Sequence, residues 1–217
     1  MPAPPRIRGG LALRLGVLVG GLFLFAVGIV CFLESKLGLS PWDVLHQGIA
    51  RHSPLSFGEA NIAVSVVVVT IAWLLGARVG IGTLANAVLV GLFVVGLTSI
   101  GAVQQLAHDP LGVRIGLLAT GVILTGAGSG LYLAAALGAG PRDSLMVVGS
   151  ERLSLRIAIV RVALELCALG IGIGLGGTFG VGTVAFALLI GPSIELSFWM
   201  LGRARLTLPP VPVAVPV

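Results

Sequence analysis

The chain matches itself at a fixed offset of one hundred residues, without a gap, from Arg14 through Gly191. Glycine and leucine are so common in the sequence that some of their matches carry no information, but matched prolines, aspartates, threonines and arginines are hard to attribute to chance. We therefore interpret the chain as two copies of one structural unit. The matched pairs include Arg14 and Arg114, Leu37 and Leu137, Gly38 and Gly138, Pro41 and Pro141, Asp43 and Asp143, Gly82 and Gly182, and Thr83 and Thr183.

Both units are predicted to be embedded in a membrane. The composition is 57% hydrophobic and only 10% charged, with a mean hydropathy of +1.12, and a water-soluble chain of 217 residues would need more polar surface than this. The uncharged apolar stretches predict three helices per unit that are long enough to cross a bilayer. These predicted helices cover residues 13–34, 58–76, 82–104, 114–136, 157–176 and 182–202.

A short polar-flanked segment follows the first long helix of each unit and begins at Pro41 or Pro141. The first one covers residues 41–52, and a helix of that length reaches only about 18 Å, whereas the hydrocarbon core is about 30 Å thick. We therefore expect a re-entrant or interfacial helix that does not span the bilayer. Each unit then has three crossings, and an odd unit repeated in tandem gives two copies of opposite orientation.

The basic residues support this topology. If the N-terminus is cytoplasmic, ten of the thirteen Lys and Arg residues lie on the inside, and only Lys36, Arg51 and Arg114 lie outside, as the positive-inside rule expects. Four crossings per unit would remove this asymmetry. The predicted fold class is an all-α polytopic membrane protein with six transmembrane helices, arranged as two inverted three-helix repeats with both termini in the cytoplasm.

The expected partners follow from the same features. The expected partners are the lipid bilayer and either a second copy of the chain or another membrane protein. A nucleic acid is not expected, because the sequence has no basic stripe interleaved with aromatic residues. No metal or cofactor is expected, because Cys31 and Cys167 lie inside predicted spans and show no ligand spacing. The predicted divisions are a cytoplasmic segment 1–12, membrane repeats 13–106 and 107–202, and a Pro-rich cytoplasmic tail 203–217.

The Pro-opened segments supply the first group of candidate site residues. Ser40 reads as a helix N-cap, and in the second copy Gly140 takes the same place. Asp43 and Asp143 then either cap the helix or line a cavity at which the two positive helix ends point. Trp42 is interpreted as an interfacial anchor in preference to a stacking surface. The candidate solute- or ion-binding residues are Ser40, Trp42, Asp43, His46, Arg142 and Asp143.

Charged residues inside the predicted spans supply the second group. Glu165 and Glu195 are placed at matching depths in the cytoplasmic half, and Arg161 precedes Glu165 by four residues on the same helix face. A charge near the bilayer centre costs at least about 2.5–3.5 kcal/mol, so Arg161, Glu165 and Glu195 are the candidates for proton coupling. The alternative is that Arg161 only neutralises Glu165 while Glu195 reaches the inner surface. Asn86 is interpreted as an interhelical hydrogen-bonding residue.

The sequence resembles the YczE/YyaS/YitT group of bacterial integral membrane proteins. The resemblance covers about residues 10–200 and is strongest in the phrase Gly38-Leu39-Ser40-Pro41-Trp42-Asp43-Val44-Leu45-His46-Gln47-Gly48, with residues 140–143, 80–83 and 180–183 in support. It implies a multi-pass protein of the bacterial cytoplasmic membrane. No reaction accompanies the resemblance, so the mechanism rests on the residues themselves.

Two functional classes follow from these features. Inverted three-helix repeats with short Pro-interrupted segments at corresponding positions are typical of alternating-access carriers, which favours a secondary transporter of a small solute, with proton coupling as an option. The alternative is a membrane accessory or scaffold protein, which the scarcity of polar residues in the spans favours. An enzyme is not expected, because no nucleophile–base pair, metal motif or catalytic pair of carboxylates is present.

Overall fold

The computed structural model describes residues 5–204 and 206–208, and these form an almost entirely helical protein. Six helices (α1, α3, α4, α6, α8 and α9) are long and apolar enough to cross a membrane. This confirms the all-α class and the six spans. The helices are α1 Leu11–Ser35, α2 Pro41–His52, α3 Phe57–Leu74, α4 Ile81–Thr98, α5 Gly101–Gln105, α6 Leu111–Ala134, α7 Pro141–Leu153, α8 Ile157–Gly174 and α9 Val181–Arg203, with a 3-10 turn at Leu106–His108.

The starts of these helices follow local sequence rules. Ser40 caps α2 by accepting a hydrogen bond from the backbone N–H of Asp43, and Pro41 fills the first helical position, where no N–H is needed. Ser56 and Glu59 form a reciprocal capping box at the start of α3. α7, the helix of the second Pro-opened segment, has Gly140 at its N-cap and therefore no capping side chain.

The predicted helix 82–104 is wrong at its C-terminal end, because α4 stops at Thr98. Ile100 leaves the helical conformation, with φ −80° and ψ 116°, and a separate short helix begins at Gly101. The side chain of Gln104 folds back and donates to the carbonyl oxygen of Thr98 at 2.7 Å. This bond satisfies one of the carbonyl groups left free at the end of α4. The continuous apolar pattern of the sequence did not predict that the helix ends there.

The centre of the fold is the pair of long helices α1 and α6, which pack against each other along their length. Glycines make this close approach possible. A Cβ added to Gly21 would lie 2.7 Å from the backbone nitrogen of Tyr132, and one added to Gly128 would lie 2.5 Å from that of Phe25. Small residues at helix contacts are the usual means by which membrane helices approach closely.

Matched residues of the two units make matched contacts in the structure. The backbone N–H of Gly82, at the start of α4, donates to the carbonyl oxygen of Leu137 at 2.9 Å. The N–H of Gly182, at the start of α9, donates to the carbonyl oxygen of Leu37 at 2.7 Å. Both leucines are followed by a glycine with positive φ (121° and 138°), a conformation that favours glycine. Each unit therefore supports the turn of the other.

The two matched arginines show the same reciprocity. Arg14 of α1 donates from Nε to the carbonyl oxygen of Ala135 at 2.7 Å, just beyond the end of α6. Arg114 of α6 donates from Nε to the carbonyl oxygen of Ser35 at 2.7 Å, at the end of α1. Each arginine thus satisfies carbonyl groups that a helix end leaves free in the partner unit.

The chain segments before α1 and after α9 lie side by side. Residues Arg6–Ile7 (β1) pair antiparallel with Thr207–Leu208 (β2), and the N–H of Arg8 donates to the carbonyl oxygen of Leu206 at 2.9 Å. The predicted tail 203–217 therefore includes the last residue of α9, Arg203, and a short strand that the sequence did not suggest. Residues 205 and 209–217 of that tail lie outside the described residues.

Candidate functional site

A cavity of about 450 Å³ lies between the two units, and every described α-helix except α5 contributes to its wall. Aromatic side chains and polar side chains both line it. The aromatic residues are Phe25, Trp42, Tyr132, Phe186 and Phe198; the polar and charged residues are Asn61, Ser65, Asn86, Ser129, Arg142, Asp143, Arg161, Glu165 and Glu195.

The N-terminal ends of α2 and α7 meet at this cavity. The guanidinium carbon of Arg142 lies 5.3 Å from the centre of the Trp42 ring, which is the geometry of a cation–π interaction. Only 8% of Trp42 is exposed, and its ring packs against Val68 and Ala168. The interpretation of Trp42 as an interfacial anchor is therefore wrong, because the contact between the two short helices holds it inside the protein.

Asp143 faces the cavity, which is one of the two alternatives that the sequence left open. The phenol of Tyr132 donates to its Oδ2 at 3.0 Å. The position of a Cβ on Gly140 lies 3.3 Å from Tyr132 Oη, 3.4 Å from Asp143 Oδ2 and 3.5 Å from Asn86 Nδ2. Three polar side chains therefore converge on the glycine that opens α7. Tyr132 has no matched polar residue in the first unit and was missed by the sequence analysis, and Asn86 lines the cavity although we expected it only to join helices.

Asp43 does not line the cavity, so the alternative in which both aspartates line it is wrong. Ser40 Oγ donates to Asp43 Oδ2 at 2.5 Å, and His46 Nδ1 lies 3.3 Å from Asp43 Oδ1. All three side chains are almost fully buried, with Asp43 3% and His46 1% exposed. The physical reason for the difference is the cap residue: the Ser40 hydroxyl holds Asp43 against its own helix, whereas Gly140 offers Asp143 nothing to bond to.

Asn61 links this buried group to the cavity. Its Nδ2 lies 3.2 Å from His46 Nδ1, and its Oδ1 is buried without a hydrogen-bond partner. Only 2% of Asn61 is exposed, yet it belongs to the cavity wall. The sequence contained a signal for this residue, because Asn61 and Ser65 sit one hundred positions before Arg161 and Glu165, which line the same cavity.

The three candidates for proton coupling lie in the wall contributed by α8 and α9. Arg161 Nε and Glu165 Oε1 are 3.1 Å apart, which confirms the predicted pairing one helical turn apart. Glu195 lies across from them on α9, and within the described part of the chain no Lys, Arg or His nitrogen comes within 4.0 Å of its carboxylate. Among the described residues, the arrangement therefore holds one carboxylate that is ion-paired and one that has no ion-pair partner.

The wall of the cavity is closed between one pair of helices and open between the matched pair. α3 packs along α4, where a Cβ on Gly58 would lie 2.5 Å from the carbonyl oxygen of Gly91. Among the described residues, α8 and α9 form no comparable interface, and nothing lies within 4 Å of a Cβ built on Gly191. Gly191 and the side chains beside it line the cavity instead. Matched helix pairs thus adopt two different arrangements.

No three His, Cys, Asp or Glu side chains come together as a metal site in residues 5–204 and 206–208. The arrangement offers hydrogen bonds, charges of both signs and aromatic faces, which are means of holding a small molecule. The free thiols of Cys31 and Cys167 are not part of the cavity wall.

Comparison with known proteins identifies the family of this chain. Residues 12–198 match a family of unknown function, DUF6198. The chain belongs to the DUF6198 family. It is 36% identical over 189 residues to the uncharacterized membrane protein YczE of Bacillus subtilis, a span of 86% of each chain. It is 35% identical over 191 residues to an uncharacterized protein of Haemophilus influenzae, which covers 87% of this chain and 85% of the relative.

A more distant member of the group is the uncharacterized protein YyaS of Bacillus subtilis, 25% identical over 178 residues, or 79% of this chain and 85% of the relative. These relatives confirm the resemblance to YczE and YyaS. No solved structure matches the chain. With a relative named as a membrane protein and six apolar helices in the structure, this member of the DUF6198 family is a multi-pass membrane protein.

Proposed function

We propose that this DUF6198 protein is a secondary transporter that moves a small solute by alternating access between two inverted halves. The observation that carries the proposal is the cavity itself, which is closed between α3 and α4 and open between the matched helices α8 and α9. A binding cavity at the boundary of two repeats, with short helices whose ends meet there, is the usual construction of such carriers.

The reciprocal contacts support the inverted arrangement. The hydrogen bond from Gly82 to Leu137 and the bond from Gly182 to Leu37 join matched residues of the two units in opposite directions. The bonds that Arg14 and Arg114 donate are related in the same way. Such contacts arise when two copies are related by a two-fold axis. Three spans per copy, together with the ten-to-three distribution of basic residues, support an axis that lies in the membrane plane.

This orientation assigns a direction to the observed state. With the N-terminus in the cytoplasm, the cavity-lining residues Arg161, Glu165 and Glu195 lie in the cytoplasmic half of α8 and α9. The tight contact of Gly58 with Gly91 lies in the outer half of α3 and α4. Within this mechanism we assign the structure to an inward-facing state, and exchanging the conformations of the two halves would produce the outward-facing one.

The experiment uses a disulfide that only the other state permits. In a protein with Cys31 and Cys167 replaced by alanine, Ala158→Cys and Gly191→Cys place thiols at the matched positions of the closed Gly58–Gly91 contact. Ser65→Cys adds a reporter thiol in the cavity wall. We expect an oxidant to bridge the first pair and a membrane-impermeant thiol reagent then to reach Ser65→Cys from outside instead of from the cytoplasm.

The matched control carries only Ser65→Cys and receives the same oxidant, and its labelling is expected to remain cytoplasmic. If the pair on α8 and α9 does not bridge, or if bridging leaves the reporter accessible from the same side, the halves do not exchange conformations. A reporter that is inaccessible from either side in all samples would favour the accessory or scaffold function.

A further inference from the structure

We propose that the solute is a small zwitterion of amino-acid size, with a carboxylate and an ammonium group at the start of α7 and an apolar side chain against the aromatic wall. The inference rests on the proposed transport function and names the substrate class of the same cavity. It depends on four features of the described residues.

The first feature is a positively charged end for the carboxylate. Gly140 has no side chain to cap α7, and the first backbone bond of the helix runs from the N–H of Ser144 to the carbonyl oxygen of Gly140 at 2.9 Å. Within the described residues, the N–H groups of Arg142 and Asp143 therefore have no hydrogen-bond acceptor, and both residues line the cavity at the positive end of the helix dipole. In the part of the chain that the structure describes, no carboxylate lies within 4.0 Å of the Arg142 guanidinium.

The second feature is a negatively charged group beside that end. Asp143 lines the cavity and receives one hydrogen bond, from the Tyr132 phenol to Oδ2. Its neighbour Arg142 points its charge onto the Trp42 ring instead of onto this carboxylate. Two consecutive residues thus present opposite charges to one cavity, a spacing that suits the adjacent ammonium and carboxylate groups of an amino acid.

The third feature is an unsatisfied polar group in the same wall. Asn61 is 2% exposed, and one end of its amide has no protein partner: the structure pairs Nδ2 with His46 and leaves Oδ1 without a donor. A buried polar group without a partner costs about 1–3 kcal/mol. A solute ammonium group that donates to this oxygen would remove that cost, so the cavity wall is suited to a polar ligand.

The fourth feature is the apolar remainder of the wall. Phe25, Phe186 and Phe198 line the cavity together with aliphatic side chains from α6 and α9. A volume of about 450 Å³ is within the range of small-molecule sites and accommodates an amino acid with a branched or aromatic side chain. A simple inorganic ion would leave most of this surface unused.

The test is equilibrium binding to the purified full chain in detergent with Trp42 as the reporter. Trp73→Phe and Trp199→Phe leave Trp42 as the single tryptophan, since the chain contains three. The probes share one skeleton: L-leucine carries both charges, 3-methylbutylamine only the ammonium, and 4-methylpentanoate only the carboxylate. The series is repeated with L-phenylalanine, 2-phenylethylamine and 3-phenylpropanoate.

We expect at least one of the two amino acids to change the Trp42 fluorescence saturably, and both of its single-charge analogues to bind about ten- to a hundredfold more weakly. Asp143→Asn should reduce binding of the amino acid to the level of its carboxylate analogue. Glu151→Gln, an exposed carboxylate on the same helix outside the cavity, is the matched control and should leave the affinity unchanged.

Equal or tighter binding of either single-charge analogue would overturn the zwitterion, and so would the absence of binding by both amino acids at millimolar concentration. These outcomes are distinct from failure of the transport function. The disulfide between α8 and α9 and the accessibility of the reporter thiol do not depend on which solute binds, so they test alternating access separately.

Discussion

Alanine substitutions at Gly91 and Gly191, which occupy matched positions of the two units, are expected to have opposite effects. A methyl group at Gly91 would lie 2.5 Å from the carbonyl oxygen of Gly58 and even closer to the side chain of Ile62. Overpacking of this kind costs about 1–3 kcal/mol. At Gly191 nothing in the described residues lies within 4 Å, and alanine is favoured over glycine within a helix by about 0.5–1 kcal/mol.

The prediction is therefore that Gly91→Ala lowers the melting temperature of the purified protein, whereas Gly191→Ala leaves it unchanged or raises it. Transport imposes a second requirement on Gly191. If closing α8 on α9 reproduces the Gly58–Gly91 contact, the added methyl group penalises the outward-facing state by the same 1–3 kcal/mol or so. The outward-facing population then falls by about 5- to 150-fold.

Two measurements check this prediction: the melting temperature, and the rate at which an impermeant thiol reagent labels Ser65→Cys from outside. Gly96→Ala, on the same helix as Gly91 but with no neighbour within 4 Å, is the matched control: its melting temperature should be unchanged or raised, as for Gly191→Ala, and its outside labelling should equal that of the parent. Equal destabilisation by Gly91→Ala and Gly191→Ala would refute the packing difference. Unchanged outside labelling in Gly191→Ala would refute the proposed closure.

Three further predictions concern the fold and the charged groups. Arg14→Gln and Arg114→Gln each remove a 2.7 Å hydrogen bond to a helix-end carbonyl of the other unit. Each should lower the free energy of unfolding by about 1–3 kcal/mol, measured by urea or thermal unfolding. Destabilisation by only one of the two substitutions would contradict equal structural roles. Ser40→Ala removes both the cap of α2 and the hydroxyl bonded to Asp43, so it should cost at least about 1 kcal/mol, whereas Ser40→Thr should recover most of this. Glu195→Gln should abolish leucine-driven pH change in dye-loaded proteoliposomes while leucine counterflow persists, and a pH change equal to that of the parent would exclude Glu195 as the coupling group.

Several elements of the fold could be predicted because their causes are local. Apolar stretches of about 20 residues predict the spans, and five of the six agree with the structure to within a few residues at each end. Pro41 and Pro141 start the short helices because proline suits the first helical position. The pairing of Arg161 with Glu165 follows from their spacing of one helical turn.

The site was only partly predictable, because its composition depends on contacts between distant residues. Asp43 and Asp143 share one sequence pattern, yet only Asp143 lines the cavity, and Tyr132 reaches it from α6. The predicted extension of α4 to residue 104 failed for a similar reason, since the Gln104 side chain returns to bond Thr98.

The sequence by itself determined the membrane location, the number of long helices and the family, because hydropathy, helix capping and sequence identity to relatives are properties of the chain read in order. Only the tertiary structure decided that α3 closes on α4 while α8 stands apart from α9, and that Asn61 Oδ1 has no hydrogen-bond partner among the described residues. Two copies of nearly the same pattern can pack in two arrangements when the free energies of their helix contacts differ by a few kcal/mol. Which copy is closed is a property of the whole assembly of helices and cannot be read from either copy alone.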